Sequence, residues 1–177
     1  MNKRLLLACA AIAFAAGAWW SWREATPSAE FSSERATLGQ VLSHSWQDAN
    51  GQKIELEPLS GRILVLNFWA TWCAPCVEEM PELSALSLEL AASKVQLLGI
   101  GIDSPSNIRQ FAERHRISYP LPVVGAAGLD WIKGFGNASG GLPFTVVIDR
   151  QGAVSSRILG RVDIKKLREQ LLSMTRN

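Results

Sequence analysis

Cysteine and histidine are scarce and charge is nearly balanced, and each shortage removes a class of protein. Three cysteines in 177 residues rule out a disulfide-stapled miniature. Two histidines, His44 and His115, and no second Cys-x-x-Cys leave a structural zinc site without its soft ligand set, so no metal is expected. A net charge of +2, without any block of like charges, gives no footprint for nucleic acid. No repeat of fixed period is present, which excludes a solenoid. What remains is 47% apolar and 19% charged, the make-up of an ordinary globular chain with room for one core.

Lys3 and Arg4 precede an apolar run from Leu5 to Trp20, and Trp19, Trp20 and Trp22 cluster where a helix would meet the far headgroup layer. That run reaches about 24 Å as a helix, against roughly 30 Å of hydrocarbon, a mismatch that tryptophan anchoring and local thinning tolerate. Residues 1–23 therefore read as a membrane anchor. A cleaved signal peptide is the competing reading, because Ala16-Gly17-Ala18 has the small-x-small cleavage pattern. A lipoprotein box at Leu6-Leu7-Ala8-Cys9 has too short an apolar region before it. All three readings put the rest of the chain on the periplasmic side of a bacterial inner membrane, anchored or, after cleavage, soluble. Residues 24–37, rich in Ala, Ser, Thr and Glu, read as a linker, and 38–177 as the folded domain.

Within that domain, Trp46-Gln47-Asp48 and Gln52-Lys53-Ile54 flank Ala49-Asn50-Gly51, whose Asn-Gly is a favoured hairpin turn because both residues accept positive φ. Ile63 to Trp69 is almost continuous apolar β-former, the mark of a central strand covered on both faces, and Asn67 interrupts it. From Pro75 to about Ala92, Val77, Met80, Leu83, Leu86, Leu88 and Leu90 recur at helical spacing, with Pro81 bending an early turn. A strand from Val95 to Ile102 follows. Asp103-Ser104-Pro105 supplies a cap and a first-turn proline for a helix through His115. A short helix near Leu129 to Phe135 leads through a Gly-rich bend to strands Phe144 to Ile148 and Ala153 to Ile158. Asp163 caps a closing helix whose Ile164, Leu167, Leu171 and Met174 share one face. The order predicts an α/β fold with a mixed central sheet flanked by helices.

The chemistry lies in Trp72-Cys73-Ala74-Pro75-Cys76. Two cysteines three apart, where a buried strand hands over to a helix, bring both sulfurs within bonding distance in the first turn. Free N–H groups and the helix dipole favour a thiolate on Cys73, the more N-terminal and more exposed sulfur, which becomes the predicted nucleophile. Lowering its pKa from about 8.5 to about 7 needs roughly 2 kcal/mol, which a partly buried helix terminus supplies. Cys76 then resolves the mixed disulfide. A structural disulfide or two buried apolar cysteines would be the bland alternative. The strand before the pair, the proline inside it and the helix after it favour a redox couple.

Asn67-Phe68-Trp69-Ala70-Thr71-Trp72-Cys73-Ala74-Pro75-Cys76-Val77-Glu78-Glu79-Met80-Pro81 resembles the active-site segment of TlpA/ResA-type thioredoxin-like proteins. Gly141-Leu142-Pro143-Phe144 and the following Ile148-Asp149-Arg150-Gln151-Gly152 resemble that family's second signature. The resemblance runs from about Trp46 to the end. It implies a thioredoxin-like fold with an N-terminal β-hairpin and a strand-helix insertion, and makes Pro143 a cis-proline beside the thiols. Leu142 would offer its backbone to a partner's extended segment. Glu79 stands at the family's acidic position, either tuning thiol protonation or resting as a solvated first-turn carboxylate. Asn67 stands where thioredoxins themselves carry a buried acid. Trp72 would join the docking surface, Trp69 the core. Whether Trp131, Phe135 and Gly140-Gly141 line the approach to the thiols stays open, and His44 and His115 read as surface or structural residues.

The implied activity is thiol-disulfide exchange, reducing disulfides of exported proteins in the manner of cytochrome c maturation. Its partners are those proteins and an upstream membrane electron donor; no cofactor is required, and a monomer is expected. Two rivals remain. A thiol peroxidase usually has a more distant resolving cysteine. A copper(I)-binding module suits paired thiolates, but no His or Met motif accompanies them.

Overall fold

The run Ile63–Trp69 forms a strand buried at every residue, which only a central position with helices on both faces allows. The computed structural model describes residues 39–55 and 61–176; the stretches expected to be an anchor or signal peptide and a linker, and Cys9, lie outside the described residues. In chain order the elements are β1 Trp46–Gln47, β2 Lys53–Ile54, β3 Ile63–Trp69, α1 Ala74–Glu89, β4 Val95–Gly101, α2 Pro105–His115, α3 Gly128–Gly134, β5 Phe144–Ile148, β6 Val154–Leu159 and α4 Ile164–Arg176. Residues 39–43 are also helical.

The main sheet has the order β4-β3-β5-β6. β3 pairs parallel with β4 and antiparallel with β5, which pairs antiparallel with β6. Alternation along β3 divides the core in two. Ile63, Val65 and Trp69 face Met80, Leu83 and Leu86 of α1, with α2 and α4 completing that layer. Leu64, Leu66 and Phe68 face Val41, Trp46 and α3 through Ile132, with Phe135 just beyond it. This is the thioredoxin-like architecture, a mixed sheet between helices with a small antiparallel hairpin before it.

Four local expectations change. Between β1 and β2 the flanks are as expected, Asp48 N–H donating to the Gln52 carbonyl at 2.9 Å across Ala49-Asn50-Gly51, but of the Asn-Gly pair only Gly51 has positive φ, at 77°. Asp48 shapes the loop, its Oδ1 accepting the N–H groups of Asn50 and Gln52 at 2.8 Å each. Leu88 is 67% exposed, because a continuous α1 turns it away from the sheet while Leu86 and Leu90 stay inside. α1 ends at Glu89, and a tighter turn over Ala91–Ser93 replaces its last residues. The strand of the insertion is reduced to one bridge between Gly101 and Val123, although Gly99 and Gly101 donate to Pro120 and Pro122 carbonyls at 3.0 and 2.8 Å. Prolines at those positions can accept but not donate, so the segment lines β4 without becoming a full strand.

Candidate active site

β3 stops at Trp69 and α1 starts at Ala74, so the residues between them form the turn that presents the cysteines. Cys73 N–H closes the turn onto the Ala70 carbonyl at 3.2 Å. Cys73 caps α1: its Sγ accepts the Cys76 N–H at 3.3 Å, and its carbonyl accepts that of Val77 at 3.1 Å. Pro75 sits in the first turn, where its missing N–H costs nothing. The two sulfurs form a disulfide, with Cα atoms 5.2 Å apart. Cys73 keeps 6% of its surface and Cys76 none, so an outside molecule meets Cys73 first. In the dithiol, the N–H that points at Cys73 Sγ and the amino end of a helix with no acidic residue in its first turn both favour a thiolate there.

Glu79, one turn beyond Cys76, is fully buried. Its Oε1 accepts Asn67 Nδ2 at 2.7 Å and its Oε2 accepts the Val162 N–H at 2.8 Å. The Asn67 amide also donates to Thr145 Oγ1 at 3.0 Å, linking α1 to β3 and β5 under the disulfide. Burial raises the Glu79 pKa above the ordinary carboxylate value, against the pull of both donors and of Arg161. Arg161 in turn binds Glu82 at 2.6 Å and Glu78 at 3.3 Å on the surface above. A solvated first-turn carboxylate is therefore not what Glu79 is: it is a carboxyl held inside, and its burial makes the carboxylate a stronger base than one in water.

The walls around the disulfide are held by polar side chains that sequence patterns did not single out for that purpose. Asp103 does not cap α2; Ser104 does, accepting Asn107 N–H at 3.2 Å. The Asp103 carboxylate instead reaches Thr71, accepting its hydroxyl and, at 3.2 Å, its N–H, and so ties the cysteine turn to the start of α2. Burial pushes Asp103 up, but donors from Thr71, Asn107 and Ser104 outweigh it and hold the carboxyl below its ordinary value. Trp72 beside it is 69% exposed and lines a groove of about 770 Å³ with Asp103, Val123, Val124 and Leu129.

The other wall is the loop before β5. The Leu142–Pro143 bond is cis, Pro143 is buried, and Leu142 packs against both halves of the core. Asn137, also buried, donates from Nδ2 to the Gly141 carbonyl at 2.8 Å. An asparagine just before a Gly-rich bend was the available signal; its partner could not be read from it. Trp69 is fully buried in the layer that contains the cysteines. Trp131 and Phe135 belong instead to the opposite core layer, with Trp131 tilted against Trp46 and edge-on to the exposed His44. His115 is exposed and stacks on Phe111.

The AhpC/TSA family matches residues 39–157. The thiol-disulfide oxidoreductase ResA of Bacillus anthracis is 31% identical over 129 residues, 72% of each chain. That of Halalkalibacterium halodurans is 31% identical over 116 residues, 65% of this chain and 64% of its own length. Among solved structures, a thiol:disulfide interchange protein of the thioredoxin family from Chlorobium tepidum superposes with a TM-score of 0.67 at 24% identity, over 75% of this chain and 92% of that one. StoA from Bacillus subtilis superposes with a TM-score of 0.59 at 18% identity, over 71% and 93%; these two likenesses speak to the fold. A Cys73–Cys76 disulfide at a helix start, on a thioredoxin-like sheet and with relatives of this kind, places the chain in the AhpC/TSA family, among its ResA-like thiol-disulfide oxidoreductases.

Proposed function

We propose that this protein reduces disulfides of exported proteins on the periplasmic side of a bacterial inner membrane, in the service of cytochrome c maturation. The observation that carries the reading is the asymmetric pair, a Cys73 with residual surface and a fully buried Cys76, above the buried acid Glu79. The ResA relatives support the reaction class, and the apolar, tryptophan-flanked Leu5 to Trp20 run supports export.

In the reduced protein the Cys73 thiolate attacks one sulfur of the partner's disulfide, forming a mixed disulfide and expelling the other partner sulfur as a thiolate. Cys76, deprotonated, then attacks Cys73 Sγ. The Cys73–Cys76 bond forms, the second partner sulfur leaves, and two electrons have passed to the partner. Glu79, the nearest buried acid on the same helix, is the group proposed to take the Cys76 proton. Trp72, Leu142 and Pro143 form the surface against which the partner lies. An upstream membrane protein returns the dithiol.

Replacing Cys76 by Ser should leave the mixed disulfide on Cys73 unresolved, so mass spectrometry of the trapped complexes names the substrates. Exported proteins with paired cysteines are expected among them. A Cys73/Cys76 potential near −120 mV, where known pairs are strong oxidants, would reverse the proposed direction.

A further inference from the structure

We infer that Asn137 is a positioning residue for partner docking, setting the conformation of the Gly140-Gly141-Leu142 loop along which a disulfide-bearing polypeptide lies. The inference rests on the reading that the substrate is a protein disulfide.

Two adjacent glycines, with φ at Gly140 of +68°, give this loop more conformational freedom than any other residues would. Yet it must stand in one place. A Cβ at Gly141 would come within 3.2 Å of Leu159 Cδ1, and one at Gly140 within 3.8 Å of Leu129 Cδ2. Leu129 and Leu159 are both exposed, so the loop runs between two apolar side chains, and its Leu142 packs on the core layer that holds both cysteines. Among the described residues, the Leu142 N–H and carbonyl make no hydrogen bond to another backbone group, which leaves that edge available to an incoming strand.

Asn137 supplies the restraint that glycine lacks. Its N–H donates to the Ile132 carbonyl at 3.0 Å, which roots it in α3, and its carbonyl accepts Gly140 N–H at 3.2 Å. Its Nδ2 donates to the Gly141 carbonyl, and Ser139 Oγ donates to its Oδ1 at 2.7 Å. The serine bond orients the amide, so that NH2 and not oxygen faces Gly141. None of these bonds involves Cys73 or Cys76. Asn137 therefore acts on how a polypeptide is received, by holding the docking edge before the partner arrives, rather than on sulfur exchange itself.

The test compares two disulfides with the reduced full-length chain in stopped flow. One is a synthetic peptide whose Cys-x-x-Cys-His segment is closed by a disulfide; the other is dithiobis(nitrobenzoate), too small to run along the loop. The readout is the ratio of the two second-order rate constants. Asn137→Ala should lower the ratio about tenfold, the equivalent of one buried hydrogen bond. Ser139→Ala, at an exposed position that also serves if the first variant does not fold, removes the bond that orients the amide together with the 3.4 Å bond that Ser139 Oγ accepts from the Gly141 N–H, and should lower it about threefold. A ratio within about twofold of wild type in the folded variants, or an equal slowing with both disulfides, overturns the inference. A wild-type chain inert toward the peptide but reactive with the small disulfide overturns the protein-disulfide reading, and this inference with it. An active wild type with unmoved ratios removes the inference alone.

Discussion

Glu79 receives N–H donors on both oxygens and has no exposed surface. The donors favour the carboxylate and burial favours the acid, with burial the stronger influence, so the group keeps its proton above the ordinary value of 4.5. Between the unfolded and folded pKa the native state holds more protons than the unfolded chain, and stability falls as pH rises through that interval. Asp103 runs the other way: its depressed pKa contributes stability above the unfolded value, lost as pH falls through the folded one. Asp163, whose carboxyl is also held low by the Lys166 N–H, adds to the acid limb. Thermal melts across pH should therefore show a decline above the ordinary carboxylate range that Glu79→Gln flattens, and an acid-side fall that Asp103→Asn shrinks. A Glu79→Gln profile parallel to wild type would contradict the burial account. A proton on Glu79 also needs an acceptor, and Asn67 Oδ1, buried and without a partner among the described residues, is placed to become one if the amide turns over.

Whole elements were far more legible than these pairings. The apolar run of β3 and the alternating face of α4 are periodic signals, and their burial follows from period alone: Leu167 and Leu171 are inside, with Ile164 and Met174 at the margin. The Thr71–Asp103 and Asn67–Thr145 bonds join residues 32 and 78 positions apart through ordinary polar side chains, and no local pattern announces such a partner. The hairpin and its flanks were legible but the conformation of Asn50 was not, for a related reason: Asp48 takes the backbone N–H groups of Asn50 and Gln52. Pro81 was legible as an irregularity in α1, yet the helix runs through it from Ala74 to Glu89. It has no N–H for the Val77 carbonyl, and it is exposed, so burial of the ring offsets little of the loss. Pro81→Ala should therefore stabilise the protein by about 1–3 kcal/mol, seen as a higher denaturant midpoint with unchanged slope. A lower midpoint would mean that the ring is needed where it stands.

Across the whole molecule, the sheet has two unlike edges. The 119–124 segment lies along β4 and takes up the N–H groups of Gly99 and Gly101, so one edge is finished by the chain's own backbone. The other edge is β6, whose Arg157 reaches back to the Phe135 carbonyl at 2.7 Å. A long cation on an edge strand discourages a second strand from joining it. Arg157→Val, which removes both the bond and the charge, should cost about 1–3 kcal/mol and give concentration-dependent light scattering, while Arg157→Lys should restore dispersion without restoring the stability. Scattering from Arg157→Val no greater than that of wild type would show the edge to be protected by other means. β6 ends at Leu159, beside the loop proposed to receive unfolded polypeptides. Among the described residues no strand pairs with the outer edge of β6, so a visitor that overshoots that loop would meet backbone able to extend the sheet, with Arg157 standing in its way.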